Sequence, residues 1–517
     1  MSSETANRAG AVATPYFEGT ALFATILLLS LANFMAVLDL TIVNVAVPHI
    51  AGSLAVSPDE GTWAITSYAV AEAITVPLSG WLAARFGPVR VFVIAAVAFG
   101  LFSMLCGFAS SLAMLVVFRV FQGLSGGPLM PMSQTLLMRV TPPKHVQLAL
   151  GLQNMTTIIA PIAGPVLGGI LTDTIGWPWA FYINVPISIF VSLTAWRLLS
   201  SREAATTRAP VDYVGLGILV LWIGALQIML DNGEDKDWFN SPFIVTLAIA
   251  AAIGFVAFLI WELTEEHPIV DLSVFRNRTF SVMAGSMALT FGAFFATIVL
   301  IPLWLQTNMN YTATWAGSVM AFQGVLGVAM APVTALLVSR VDPRFLMSFG
   351  ISILAGVTLW RTEFAQNVTF WQVALPQLVT GLGIPLFFVP LLGLSIAAVP
   401  PSQTASAAGL VNFIRTMSGA FGTALVTTGW DRATTNARVN LVGILHQPQA
   451  ALTALQAQGL SAGQALNQFD SLVQSQAVML ATNRMFFILA LILATVAAGV
   501  WLSPKPRARI ALPAGGH

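Results

Sequence analysis

The stretch Leu38-Asp39-Leu40-Thr41-Ile42-Val43-Asn44-Val45-Ala46-Val47-Pro48 closes an apolar run, residues 22–47, that is long enough to cross a bilayer. Its one carboxylate, Asp39, would lie in hydrocarbon. A charge at that depth costs about 3 kcal/mol on insertion scales, so the default reading is a proton or ion relay lining a path. The alternative is a carboxylate permanently paired with an arginine to hold helices together.

Working outward, the composition is that of a membrane protein. The 517 residues are 57% hydrophobic and 8% charged, against about 25% charged for soluble domains. A net charge of +1 gives no hint of nucleic acid. The one cysteine, Cys106, lies in an apolar run, so no disulfide framework can form within the chain. His49, His145, His267, His446 and His517 fall in loops, at helix ends or in the tail, and no His/Cys cluster offers a metal site. The start of the chain lacks the basic region and cleavage site of a signal peptide, so the first helix is expected to stay as an uncleaved anchor.

Fourteen windows of bilayer-spanning length can be drawn, at 22–47, 61–84, 89–109, 112–136, 146–171, 180–199, 213–230, 242–261, 279–305, 315–339, 345–363, 371–398, 405–429 and 481–502. An even count puts both termini on one side. With the termini cytoplasmic, the inside segments hold fifteen Lys and Arg and the outside segments five, counting Arg361 among the latter. Arg119 and Arg415 fall within helices. That bias supports cytoplasmic termini and the count of fourteen. The chain divides into residues 1–200 with six spans, 201–278 with a basic linker and two extra spans, 279–502 with six more, and a cytoplasmic tail, 503–517. Residues 430–480 form the long outside loop, rich in Gln, Ala and Leu and broken at Gly459, with the pattern of one or two amphipathic helices. Such loops are either functional, here as a docking surface for a periplasmic partner, or mobile.

Helical spacing sorts the polar residues. Tyr68, Glu72, Thr75 and Ser79 share one stripe of the second helix; Arg119, Gln122 and Gly126 align on the fourth. Gln153, Thr157, Pro161, Gly164 and Gly168 align on the fifth, and Asn412, Arg415, Gly419 and Gly422 on the thirteenth. Polar stripes face a cavity or another helix, while small residues also serve close packing. At 1.5 Å per residue, Asp39 lies about 12 Å and Arg119 about 10 Å below the outer surface, so an ion pair between them is geometrically allowed. Glu72 at about 16 Å from the outer end, and Arg415 at about 15 Å from the inner end, lie near the midplane.

These residues resemble a family. The stretch 38–48 is similar to the first-helix signature of drug:proton antiporters of the major facilitator superfamily. Gly80-Trp81-Leu82-Ala83-Ala84-Arg85-Phe86-Gly87-Pro88-Val89-Arg90 resembles the superfamily's loop between helices two and three. Arg119-Val120-Phe121-Gln122-Gly123 resembles its fourth-helix motif tied to proton transfer, and Gly164-Pro165-Val166-Leu167-Gly168-Gly169 its fifth-helix exporter motif. Trp177 to Pro186 and Asn412 to Gly419 add to the match. Fourteen helices point to the second drug:proton antiporter subfamily and to EmrB-type multidrug exporters, along nearly the whole chain. One departure is Ala84, where the family's loop usually carries an aspartate. The latch formed by Arg85 and Arg90 is therefore expected to be weakened, or these arginines act only as topology determinants. Ala160 is a milder departure, standing where the fifth-helix motif commonly begins with glycine.

The resemblance implies an all-α integral membrane protein with two six-helix bundles plus two extra helices, rocking about a central site. It implies no cofactor beyond a proton gradient. Asp39, Glu72 and Arg119 would couple protons. Asn33, Tyr68, Gln134, Asn154, Gln377, Asn412 and Arg415 would face an apolar, methionine- and aromatic-lined cavity for small-molecule drugs, though the amides equally serve to join helices. Glu72 offers a negative charge for cations and Arg415 a positive one for acids. The implied partners are a periplasmic adaptor of the EmrA type and an outer-membrane channel of the TolC type, with the pump in a bacterial inner membrane. An importer of the same fold is disfavoured by the Gly-Pro motif, an enzyme by the lack of a nucleophile with a base, and a channel by the lack of filter loops or charged rings. An exporter of fatty acids or similar metabolites would differ only in its cavity.

Overall fold

The computed structural model describes residues 16–204, 206, 211–338, 340–400, 403–444 and 448–505. The described residues are helical throughout, without a strand. Helices occupy all fourteen expected spans, and eleven of them are long and apolar enough to cross a membrane. In chain order these are Gly19–Ser53; the pair Trp63–Thr75 and Ser79–Phe86; Pro88–Gly107; the pair Leu112–Gly126 and Leu129–Val140; Val146–Thr174; the pair Trp179–Tyr182 and Asn184–Leu199; Tyr213–Asn232; and Pro242–Thr264. The second half has Arg278–Asn308, Ala313–Val338, Pro343–Trp360, Phe370–Ala397, Thr404–Ile444 and Ala462–Gly499.

The paired helices mark where a single window met a break. Pro77 lacks the N–H that would continue the second span, so Thr75 and Ser79 lie on separate helices rather than on one stripe. Gly127 and Pro128 break the fourth span in the same way. Elsewhere polar side chains begin the helices. Ser111 accepts from the Met114 amide, Asn277 from Thr279 and Phe280, and Asp342 from Arg344. Large apolar side chains point outward along the bundle, among them Ile94, Leu101, Phe190, Leu193, Ile253 and Ile260. An outward apolar face on this scale is matched by lipid rather than water.

Helix pairing in the first half recurs in the second. The first helix packs on the fifth, the second on the fourth and the third on the sixth; correspondingly the ninth packs on the thirteenth, the tenth on the twelfth and the eleventh on the fourteenth. The extra pair sits to one side. Trp222 of the seventh helix meets Phe413 of the thirteenth with ring centroids 5.9 Å apart, and Leu219 and Ile223 join the apolar cluster containing Ala73 and Ile74 of the second. The eighth helix reaches the bundle through the seventh, where Gly254 lies against Trp222.

The two halves meet through Gly80 against Ser406, Gly409 against the Val76 carbonyl, Asn412 against Gln134, and Gly151 against Val389. All four contacts lie toward the end of the bundle at which the first helix begins.

The described residues of the 430–480 segment are largely helical: the thirteenth helix runs on to Ile444, the short separate helix Pro448–Ala457 follows, and the fourteenth starts at Ala462. The thirteenth has 41 residues and the fourteenth 38, about 60 Å each at 1.5 Å per residue, twice the hydrocarbon thickness. They form a projecting hairpin clasped by Arg438 and Asp470 at 2.6 Å.

Candidate transport site

Asp39 and Arg119 pair directly, each fully buried. The carboxylate accepts three hydrogen bonds in all. Its second oxygen accepts from Gln122 Nε2 at 2.9 Å and from Asn184 Nδ2 at 2.7 Å. Arg119 also donates through Nε to the Ala64 carbonyl at 2.7 Å and through Nη1 to Gln122 Oε1 at 2.8 Å. The guanidinium stands 4.2 Å from the Tyr68 ring centroid and 5.6 Å from that of Phe181, a stacking that suits its weakly hydrated plane. Asn184 also donates to Ser103 Oγ at 3.0 Å, and Ser103 donates to the Phe181 carbonyl at 2.8 Å. Five of the first six spans therefore converge on one carboxylate. Gln122 and Asn184 were visible in the motifs as letters; Ser103 carried no signal, because a lone serine in an apolar helix usually bonds its own backbone.

Glu72 is different. It is half-buried, its carboxylate takes no hydrogen bond among the described residues, and it lies close enough to Arg415 for their charges to act on each other without a direct ion pair. The second and fourth helices cross closely here, Gly123 lying on the Tyr68 carbonyl and Gly127 on the Glu72 carbonyl. Arg415, half-buried, contacts Met130 and stands 5.8 Å from the Phe291 ring centroid. It faces the aromatic cluster of the second half, where Phe291 lies 5.0 Å from Phe295 and 5.5 Å from Phe388.

That cluster, with Phe294, Gln323, Pro385 and Met155, walls a narrow cavity between the halves. Most of the expected amides serve elsewhere. Asn33 donates to Thr156 at 2.5 Å, joining the first and fifth helices. Asn412 donates to Gln134 at 2.7 Å, joining the halves. Gln377 receives Arg361 at 3.1 Å and lines a second cleft beside the first. The side chains of Asn154 and Pro165 lie outside the described residues. Arg361, counted among the outside basic residues, is 1% exposed at the end of a membrane-crossing helix.

The motif glycines act by proximity. A side chain on Gly164 would strike Thr41, and one on Gly168 the Ile42 carbonyl, so these two seat the fifth helix on the first beside Asp39. Gly169 meets nothing within 4 Å. Gly87 adopts φ +89° between the second and third spans, a conformation that favours glycine. Its neighbours Val89 and Arg90 donate their amides to Glu203 at 3.1 and 2.9 Å. Glu203, missed in the sequence, thus caps the third helix from beyond the sixth. The Arg85 guanidinium lies 5.4 Å from the Trp81 ring centroid and 5.8 Å from that of Phe86, and Arg90 is exposed.

The Major Facilitator Superfamily profile matches residues 29–423. The chain belongs to that superfamily. It is 41% identical over 497 residues to the multidrug export protein EmrB of Haemophilus influenzae, covering 95% of this chain and 98% of that one. It is equally 41% identical over 499 residues to the fatty acid resistance protein FarB of Neisseria gonorrhoeae, with the same coverage. Among solved structures, a double-tryptophan mutant of XylE superposes with a TM-score of 0.63 at 12% identity, covering 95% of this chain and 98% of that one, which shows the shared fold. The protein is a multi-pass secondary transporter of the EmrB type and not an enzyme. Among the described residues no His/Cys/Asp/Glu group could hold a metal.

Proposed function

We propose that this transporter exports drugs and other amphipathic compounds across a bacterial inner membrane in exchange for protons, as the pump subunit of a tripartite exporter. Glu72 is the proton carrier in this reading, and the observation that carries it is the contrast between the two intramembrane carboxylates. Asp39 accepts three hydrogen bonds, one of them from its arginine partner, and has no exposed surface. Glu72 has a half-buried carboxylate that takes no hydrogen bond among the described residues, and it lies near Arg415, which faces the aromatic cluster. Gain or loss of its proton changes the charge presented to Arg415 across the two halves, which is the differential interaction a rocking equilibrium needs. Asp39 and Arg119 act by fixing Tyr68 and the second helix around it.

With the termini cytoplasmic, the contacts between the halves sit at the cytoplasmic end, so the conformation described faces outward. A substrate of varied shape finds phenylalanine and methionine surfaces that re-pack around it. The likeness to EmrB supports drugs as cargo, and the likeness to FarB supports fatty acids as a second class. The hairpin beyond the thirteenth and fourteenth helices is the surface for a periplasmic adaptor of the EmrA type, which would connect to an outer-membrane channel of the TolC type.

In proteoliposomes with an imposed pH gradient, Glu72→Gln abolishes gradient-driven export while leaving substrate binding within about threefold of wild type. Gradient-dependent export at the wild-type rate by this variant would refute the assignment.

A further inference from the structure

Arg119, Arg361 and Arg415 are buried or half-buried in the helix bundle, and they are compensated unequally. Arg119 pairs with Asp39, and Arg415 faces Glu72. Arg361, 1% exposed at the end of the eleventh helix, has no described carboxylate acting on it. Its Nη2 donates to Thr380 Oγ1 at 2.7 Å and to Gln377 Oε1 at 3.1 Å, both neutral acceptors. Among the described residues its Nε is buried without a partner, and so is the Nε2 of Gln377 beside it. A buried cation with unmet donors is costly, and an anion that meets both groups would offset that cost.

The surroundings say what kind of anion. Arg361, Gln377 and Thr380 line a narrow cleft together with Phe294, Ile298 and Gln323. Those last three also line the aromatic cavity between the halves. The two clefts therefore share a wall, with an unmatched guanidinium at one end and phenylalanine faces at the other. A small inorganic anion would leave the apolar end unused, and a cation would be repelled at the polar end. The free Nε–H of Arg361 and the free amide Nε2 of Gln377 supply two donors, one for each oxygen of a carboxylate.

We propose that Arg361 and Gln377 form a head-group site for amphipathic carboxylates, whose apolar body lies along Phe294 and Ile298 toward Phe291 and Phe388. This rests on the export role proposed above and names one class of cargo for it. Gln377 lies in the second turn of the twelfth helix, about 10 Å from its start, so the head group sits nearer the outer surface than the aromatic cavity does.

The test compares decanoate with decyltrimethylammonium, two ligands of equal tail length and opposite charge, on the purified full-length protein in amphipol. Arg361→Gln weakens decanoate binding at least tenfold and changes decyltrimethylammonium binding by less than twofold. A smaller loss for decanoate, an equal loss for both ligands, or no decanoate binding by the wild type overturns the proposal. Should Arg361→Gln not fold, Gln377→Leu removes the other unmet donor and must weaken decanoate selectively; unchanged decanoate affinity then overturns it. Binding is read without a gradient, so a failure of proton-driven export is a separate result from a failure of this site.

Discussion

Asp39 and Arg119 illustrate how a charge is kept in a membrane. The pair is fully buried and bonded by Gln122, Asn184 and the Ala64 carbonyl, while Arg119 Nη2, Asn184 Oδ1 and the Tyr68 hydroxyl have no partner among the described residues. Removing the carboxylate's charge strands the arginine, and breaking such a pair typically costs about 3–5 kcal/mol. Asp39→Asn should therefore lower the thermal midpoint of the purified protein clearly, whereas Glu72→Gln, at a group with no hydrogen bond to lose, should leave it within about a degree or two. Equal midpoints for Asp39→Asn and wild type would show that the network contributes nothing to stability. Asp39 was legible in the sequence because a carboxylate in an apolar run has few explanations. Its partner Asn184 lies 145 residues away, and a single asparagine at a helix start announces no such contact.

At the scale of helices, apolar length was the readable quantity and continuity was not. Runs of suitable length located every span, but Pro77 and the Gly127-Pro128 step broke two of them inside the bundle. Beyond the thirteenth span the helical pattern of residues 430–480 was legible, but not that its good helix formers mostly extend the helices on either side. The resulting hairpin exposes Val439, Val442, Leu466 and Leu472 outside the hydrocarbon length. Exposed apolar side chains on a stalk of this kind suit a partner that covers them. Removing residues 437–471 and closing the gap with a short linker should abolish co-purification with a periplasmic adaptor. The truncated pump should keep its thermal midpoint and its drug binding. Undiminished co-purification would place the docking surface elsewhere.

Across the whole molecule, the two halves repeat one pairing scheme and touch near one end of the bundle. That contact is tight at Gly80, where a side chain would collide with Ser406 of the other half. Gly80→Leu should wedge this end apart and shift the population toward the opposite opening, since ligand-free conformers of a rocking transporter differ by only a few kcal/mol. Distances between spin labels on the second and thirteenth helices would lengthen at this end. An unchanged distance distribution would mean that the closed end tolerates a leucine and that Gly80 does not set the gate.

Composition and the spacing of apolar runs determined that this chain crosses a membrane many times, because hydrocarbon admits only helices that satisfy their own backbone. The same runs, with their glycine motifs, determined the family. Burial decided the rest. Whether an arginine lies in a loop or faces a cleft depends on what packs over it from distant parts of the chain, as Arg361 shows against Gln377 and Thr380. Likewise the contrast between Asp39 with three hydrogen bonds and Glu72 with none among the described residues exists only once the first six spans are assembled, since hydrogen bonds across helices are made by neighbours in space that sequence order does not reveal.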